Sequence, residues 1–362
     1  MSAELVMIVA MVLGQNRPTS DILELQGHTG PVMGLAFSLD GKHLVSSSRD
    51  GTVRLWHVES GKPVALLEQR DCWSQNIRVS PDGNTLAVAY ADGKICVWDT
   101  STWKKRSNLV GHSDSAECLE FSPDSSTLIS GSGDQTIRAW DIERSRQRYI
   151  IKTVEKSIDV LAISHNGKLL ASAGSGGWIR IRDLSSGKER SQLKTEGSRV
   201  VALTFSPDDH HLASAGNENS VRIWDVAGAK EIWRLEGHKD WPRSVAFSQD
   251  GKLLVSGGMD KQIKIWQVSS GKKWNEWMAQ GEIYAECLVV VPVTDIVVSA
   301  DTGGMVIWNS LKASKGTESK RVAIKHERTI SMTVARRGDL VAVGSWDGVI
   351  TLIRSGQIKD LK

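Results

Sequence analysis

The chain has 362 residues, and its 45 Lys and Arg against 42 Asp and Glu leave a formal net charge of only +3. This near balance argues against the basic stripe with which proteins bind nucleic acid or an anionic membrane surface. The sequence contains 14 Trp but only 4 Phe and 3 Tyr, so the fold must use the indole ring specifically.

An apolar run from Leu5 to Leu13 opens the chain and is too short to span a bilayer. We interpret residues 1–20 as a packed tail or an extra strand. A degenerate export signal is the alternative, although Glu4 rather than Lys or Arg precedes the run and no Ala-x-Ala site follows it. We expect a cytoplasmic protein, or an exported one if residues 1–15 act as a signal.

The rest of the chain, residues 21–362, is organised by a position that recurs every 42 residues. In chain order the position holds Trp56, Trp98, Trp140, Arg182, Trp224, Trp266 and Trp308. An eighth copy follows a small insertion and has Ile353 at this position. A strict period of this length predicts one repeated structural unit rather than separate domains.

Each copy is predicted to form four short strands. The first copy places them at Val32–Ser38, His43–Arg49, Val53–Val58 and Pro63–Glu68. These runs are rich in β-branched residues and bounded by Gly, Asp or Ser, as strands are. Turn signals such as the Asp-Gly pair in Ser80–Gly83 suit tight hairpins. Apolar residues at helical spacing do not recur in the repeats.

Two further anchors keep phase with the Trp: a Gly-His pair before the first strand, as at His28, and a Phe-Ser pair near its end, as at Phe37. Together with four strands per copy, these anchors resemble the WD-repeat β-propeller family, and literal Trp-Asp pairs survive at Trp98, Trp140 and Trp224. The resemblance covers residues 21 to about 356. It implies an all-β fold with a single propeller of eight four-stranded blades, with seven blades as the alternative.

The ring is expected to close through the N-terminal strand Ile22–Gly27. Counted from this strand, the eighth copy, at about 327–354, has three strands of its own and needs a fourth. Both ends of the chain should therefore meet in one blade, which removes a long exposed sheet edge. A seven-bladed ring would instead leave apolar strands such as Leu340–Val343 uncovered.

The resemblance also implies a hydrogen-bonded tetrad of Trp, Ser, His and Asp in each complete blade. Three copies contain every member: His28, Ser46, Asp50 and Trp56; His112, Ser130, Asp134 and Trp140; His238, Ser256, Asp260 and Trp266. Ser, His and Asp also form hydrolase triads, but three copies at repeat spacing favour the structural role. We expect the incomplete blades to rely on apolar packing between sheets.

A row of basic residues stands two positions before the recurring Trp. Its members are Arg54, Arg138, Arg180, Arg222 and Lys264. Because a propeller spreads them around the ring, we interpret them as packing side chains rather than a nucleic-acid interface, which clusters its charge on one face.

In this family, partners usually contact the face that carries the loops into the first strand and the turns before the third. The candidate protein-binding residues on that face are Met33, Arg49, Trp73, Gln75, Glu117, Asp159, Arg199, Trp241, Arg243, Met259, Tyr284 and Trp346. Trp, Tyr, Arg and Met are enriched at interfaces. The alternative for any one of them is that it fills the central channel. Trp233, Trp274 and Trp277 form a second, lateral candidate in the outer strands.

The sequence therefore predicts a non-catalytic scaffold that binds other proteins or peptides, with no nucleic-acid partner and no stable membrane insertion. A regulatory module of a larger signalling assembly and an enzyme with a site in the channel are the alternatives. No P-loop, G-x-S-x-G or H-E-x-x-H motif supports the enzyme. Cys72, Cys96, Cys118 and Cys287 lack metal or disulfide spacing and suggest apolar fillers in a reducing compartment, so no metal or cofactor is expected.

Overall fold

The computed structural model describes residues 22–197, 199–279, 281, 287–291, 294, 296–311, 320–326, 328–335 and 338–354. Within these ranges every regular element is a β-strand, and the strands form eight antiparallel sheets of four. No helix in the same ranges could cross a membrane. The apolar run Leu5–Leu13 lies outside the described residues, so the interpretation of residues 1–20 stays a prediction.

Seven of the sheets, blades 1 to 7, consist of four strands that follow one another along the chain. Blade 1 contains β2 (Val32–Phe37), β3 (His43–Ser48), β4 (Thr52–His57) and β5 (Pro63–Gln69). Blade 2 contains β6 (Ser74–Val79), β7 (Thr85–Tyr90), β8 (Ile95–Asp99) and β9 (Lys104–Leu109). Blade 3 contains β10 (Ala116–Phe121), β11 (Thr127–Ser132), β12 (Thr136–Asp141) and β13 (Arg146–Lys152). Blade 4 contains β14 (Ile158–Ile163), β15 (Leu169–Gly174), β16 (Trp178–Asp183) and β17 (Glu189–Lys194).

The remaining blades repeat this order with one exception at the end. Blade 5 contains β18 (Val200–Phe205), β19 (His211–Gly216), β20 (Ser220–Asp225) and β21 (Lys230–Glu236). Blade 6 contains β22 (Pro242–Phe247), β23 (Leu253–Gly258), β24 (Gln262–Gln267) and β25 (Lys273–Met278). Blade 7 contains β26 (Leu288–Val290), β27 (Ile296–Ala300), β28 (Met305–Ser310) and β29 (Lys320–Ala323). Blade 8 combines β30 (Thr329–Val334), β31 (Leu340–Ser345) and β32 (Ile350–Arg354) with β1 (Ile22–Leu25).

The blades form a closed ring. The first strand of each blade packs against the first strands of both neighbouring blades, including β2 of blade 1 against β30 of blade 8. In blade 8, β1 is antiparallel to β32, with Ile22 opposite Ile353 and Leu25 opposite Ile350. Eight blades and closure by the N-terminal strand are thus confirmed, and the seven-bladed alternative is wrong. The closing strand ends at Leu25, two residues before the predicted Gly27.

The core lies between neighbouring sheets, and this arrangement explains the Trp-rich composition. Trp56, Trp98, Trp140, Trp266 and Trp308, all on the third strands of their blades, are almost completely buried. A large planar indole fills the space between two twisted sheets and contributes up to 150–250 Å² of buried surface. In the outermost strands, by contrast, alternate side chains face solvent. The side chains that could meet a partner therefore lie on the loops and the outer strands.

Candidate functional site

A repeated backbone hydrogen bond defines one face of the ring. In blade 1 the N–H of Arg49, in the turn before the third strand, donates to the carbonyl of Pro31, which precedes the first strand, at 2.9 Å. The same bond joins Ala91 to Trp73, Gly133 to Ser115, Asn217 to Arg199, Met259 to Trp241 and Trp346 to Arg328. We call these couples rim pairs. Because the blades are alike and the ring is closed, the rim pairs lie on one face.

A β-bulge in the first strand adds a third side chain to this rim. In blade 1 the register shifts between Val32 and Gly34, which leaves Met33 without a partner residue on β3. The same register shift makes Gln75, Glu117, Asp159 and Arg243 the bulge residues of their own blades. A bulge re-aims the side chain that it carries, and such bulges are common beside functional sites.

The structure brings eleven of the twelve predicted contact residues together on this face. Arg49, Trp73, Arg199, Trp241, Met259 and Trp346 belong to rim pairs, and Met33, Gln75, Glu117, Asp159 and Arg243 are bulge residues. Tyr284 lies outside the described residues. That these side chains contact a partner stays a prediction.

Three rim tryptophans are exposed to solvent. Trp73 is 46% exposed, and Trp241 and Trp346 are each 43% exposed. Trp73 and Trp241 occupy equivalent positions in blades 2 and 6, which lie opposite each other in an eight-bladed ring. The guanidinium carbon of Arg49 lies 5.4 Å from the ring centre of Trp346. This part of the face therefore presents large apolar surfaces beside positive charge.

Blades 3 and 4 give the face a different, acidic character. Glu117 lies near Asp114 and Asp159, and burial together with these two carboxylates raises its pKa. Arg199 of blade 5 donates from Nε to Oδ2 of Asp159 at 2.7 Å. The acidic residues of blades 3 and 4 thus lie roughly across the ring from the Arg49–Trp346 pair of blades 1 and 8.

The residues of the three predicted tetrads form continuous hydrogen-bond chains. In blade 1, Trp56 Nε1 donates to Ser46 Oγ at 2.7 Å, and Ser46 Oγ lies 2.7 Å from His28 Nε2. His28 Nδ1 in turn lies 2.9 Å from Oδ2 of Asp50. Since an indole N–H can only donate, the Ser hydroxyl donates to Nε2 and the Nδ1–H donates to the carboxylate. Equivalent chains form around His112 and His238.

These chains commit the hydroxyl groups to a structural role. Ser46, Ser130 and Ser256 are fully buried, and each hydroxyl is held between an indole and an imidazole. Thr52 and Thr136 extend two of the chains by donating to the Asp carboxylates at 2.6 and 2.7 Å. Sequence reasoning missed these Thr residues, although each stands two positions after its Asp.

The expectation that incomplete blades rely on apolar packing is too narrow, because charged groups replace the missing members. In blade 2, Arg70 takes the His position and pairs with Asp92 at 2.5 Å. In blade 4, Arg182 takes the Trp position and donates from Nη1 to Ser172 Oγ at 2.6 Å. Arg180 and Arg222 of the basic row likewise pair with carboxylates of their own blades.

The tetrads around His28 and His112 make stability depend on pH through four groups. Hydrogen bonds lower the pKa of Asp50 and of Asp134 from 3.8 to about 2, against the opposing effect of burial; the donors are Thr52 and Thr29 for Asp50, and Thr136 and His112 for Asp134. Burial lowers the pKa of His28 and His112 below 6.5, although the neighbouring carboxylates partly offset it. All four groups therefore bind protons more readily in the unfolded chain than in the fold.

Stability should accordingly fall with acid in two steps. The first begins below pH 6.5, where the His residues become charged only in the unfolded chain. The second lies between pH 3.8 and about 2, where protonation of Asp50 and of Asp134 each removes about 2 kcal/mol from the free energy of unfolding. Urea unfolding between pH 7.5 and 2 measures both steps, and Asp134→Asn should make the second about half as large. An equal acid slope in this variant and the parent would contradict the assignment.

A lateral groove of about 850 Å³ lies between the outer parts of blades 5 and 6. Trp233 and Trp274 line it beside Ile232 and Val268, and Trp274 is 51% exposed. Trp277, the third residue of the predicted lateral patch, packs instead against the core that extends from blade 6 toward blade 8. The lateral candidate is thus reduced to two tryptophans.

The comparisons with known proteins agree with this architecture. A family model described as the IFT122 first beta-propeller matches residues 31–232, and the WD domain, G-beta repeat model matches residues 229–267. The chain is similar to the computationally designed Ika8 protein, whose crystal structure superposes with a TM-score of 0.78 at 22% identity over 91% of this chain and 98% of that chain. At that identity the likeness shows the fold alone.

Two curated relatives match only a short segment. Each is a protein named Ribosome biogenesis protein BOP1 homolog, one from Oryza sativa subsp. japonica and one from Arabidopsis thaliana, and each is 44% identical over 45 residues, or 12% of this chain. The matched segments span 7% and 6% of those proteins.

Proposed function

This chain belongs to the WD-repeat β-propeller family, and from this premise we propose that it is a non-catalytic scaffold whose rim-pair face binds partner proteins or peptides. Members of this family are generally protein-interaction scaffolds. The proposal concerns which face is used and which side chains carry the contact.

One observation carries the proposal: three half-exposed tryptophans belong to rim pairs of a single face. A single exposed aromatic residue is normal on a protein surface. Here Trp73, Trp241 and Trp346 lie on the same face as Arg49 and Met259. Trp and Arg are enriched among the few residues that carry most of the binding energy of an interface. A partner that lay across the channel mouth would cover all three indoles.

The other functions receive less support. The brief similarity to the BOP1 homologs is compatible with a role inside a larger assembly, but it covers 45 residues. Catalysis would need an accessible nucleophile or acid–base pair, whereas the Ser, His and Asp of the tetrads bind one another in the interior. We further propose a cytoplasmic location, which the four free thiols support.

The test is affinity capture from cell extract with two matched variants. Trp73→Ala combined with Trp241→Ala should reduce recovery of the bound proteins about tenfold or more, since hot-spot tryptophans cost at least ~2 kcal/mol when truncated. Trp274→Ala, a change of the same kind in the lateral groove, should recover the parent set. Thermal unfolding checks that each variant is folded.

Other outcomes would point elsewhere. Unchanged recovery with the double variant would refute the rim-pair face, and loss with Trp274→Ala alone would assign binding to the lateral groove. A turnover that depended on one channel residue would refute the scaffold.

A further inference from the structure

An exposed indole beside two guanidinium groups marks the junction of blades 8 and 1. The guanidinium carbon of Arg49 lies 5.4 Å from the ring centre of Trp346, and that of Arg328 lies 5.6 Å from it. Both arginines are exposed and Trp346 is 43% exposed. Both distances fall within the range of cation–π attraction, so the indole holds two positive charges near each other.

The backbone fixes these three side chains on the rim-pair face. Trp346 and Arg328 form the rim pair of blade 8, in which the N–H of Trp346 donates to the carbonyl of Arg328 at 3.2 Å. Arg49 is held in the same way by Pro31 in blade 1. The cluster is therefore built from rim-pair residues of two neighbouring blades.

The two guanidinium groups can form ion pairs with a partner. Within the described part of the chain, neither Arg49 nor Arg328 forms an ion pair with a carboxylate, whereas Arg199 on the same face pairs with Asp159 at 2.7 Å. Two guanidinium groups that lie beside one indole without an anion repel each other, and an added anion would reduce that repulsion.

Two carboxylates next to the cluster in sequence are already engaged. Asp50, next to Arg49, accepts hydrogen bonds from His28 and from both the N–H and hydroxyl of Thr52. Asp347, next to Trp346, lies 2.6 Å from Nδ1 of His326. Both carboxylates are held by the tetrad positions of their own blades, so neither of them neutralises the two arginines.

We propose that Arg49, Trp346 and Arg328 form a subsite for an acidic peptide segment of a partner protein. Glu or Asp carboxylates of the peptide pair with the guanidinium groups, whose planar N–H forks match a carboxylate. A neighbouring apolar side chain covers the open part of the indole. This proposal rests on the proposed function, since it assigns partner chemistry to the same face.

The charge of the rest of the face gives the bound peptide a direction. Asp114, Glu117 and Asp159 belong to blades 3 and 4, far around the ring from blades 8 and 1. A run of acidic residues is repelled there and attracted at the Arg49 side. The acidic part of the peptide therefore lies over blades 8 and 1, and any basic part extends toward blades 3 and 4.

The experiment selects binders from a random-peptide phage library on the full chain. Peptides selected on the parent protein should be enriched in Asp and Glu, and the enrichment should disappear with the double variant Arg49→Gln, Arg328→Gln. A second double variant, Arg106→Gln with Arg146→Gln, removes the same charge from exposed positions on outer strands and should keep the enrichment. The leading peptide, labelled for fluorescence anisotropy, should bind the Arg49 and Arg328 variant about tenfold or more weakly.

Several results would overturn the subsite. One is a failure to select acidic peptides on the parent protein, and another is equal enrichment on both double variants. Tighter binding of the leading peptide after its Glu is replaced by phosphoserine would mean that the subsite recognises phosphate rather than carboxylate. If the Trp73 and Trp241 variant loses its partners while the Arg49 and Arg328 variant keeps them, the rim-pair face stands and this subsite falls.

Discussion

Leu25→Asp is expected to lower the free energy of unfolding by about 3–5 kcal/mol and to open the ring at blade 8. Leu25 ends the closing strand opposite Ile350, is only 1% exposed, and belongs to an apolar cluster that includes Trp56 and Leu352. The substitution removes a buried leucine and places an unpaired carboxylate among apolar side chains. Both changes act at the strand on which closure depends.

Urea unfolding followed by Trp fluorescence measures this loss, and Val64→Asp is the matched control. Val64 lies on β5, the outermost strand of the adjacent blade, but is 52% exposed, so its change should stay within about 0.5 kcal/mol. An open ring also leaves the edge of β32 unpaired, and such edges associate. Size-exclusion chromatography should therefore detect concentration-dependent oligomers of the Leu25 variant only. Similar losses in both variants would contradict closure by β1.

The closure was predictable because it follows from counting. Strict spacing places the first inner strand at Val32, so the strand that begins at Ile22 has no blade of its own, and the last copy needs a fourth strand. The same phase located Trp73 and Trp241, which stand at one repeat position and prove to be equivalent rim residues. A periodic fold converts sequence spacing into position around a ring.

Arg328 was not predicted, although it occupies the same rim position. The insertion before the eighth copy breaks the 42-residue phase, and only the hydrogen bond from Trp346 to Arg328 restores the correspondence. The clustering of Arg49 and Arg328 at one indole depends on side-chain directions across a blade boundary. Spacing along the chain contains no information of that kind.

The substitutes for missing tetrad members also escaped prediction. A family resemblance states which residues complete a tetrad, and it does not state what replaces them. Arg182 is 3% exposed and reaches the hydroxyl of Ser172 as an indole N–H would, while Glu189 lies 3.3 Å from the same guanidinium. A buried charge is tolerated there because both partners are in place, which the sequence alone does not reveal.

Ser130→Ala should lower the free energy of unfolding by about 2–4 kcal/mol. Ser214→Ala should lower it by half as much, about 1–2 kcal/mol. Both hydroxyls are buried and both accept an indole N–H at 2.9 Å, from Trp140 and Trp224 respectively. Ser130 also lies 2.7 Å from His112 Nε2, whereas blade 5 has no His at that position. The first substitution therefore leaves two buried polar groups without a partner, and the second leaves one.

A double-mutant cycle separates the two contributions in blade 3. Once the Ser is gone, Trp140→Phe removes the stranded N–H, so the double variant should lose less than the sum of the single changes by about 1 kcal/mol. Urea unfolding of the four proteins measures this coupling, and the same pair of changes at Ser214 and Trp224 provides the cycle without a His. Equal costs for Ser130→Ala and Ser214→Ala would mean that the imidazole adds nothing to the network, and that the tetrad is energetically a Trp–Ser pair.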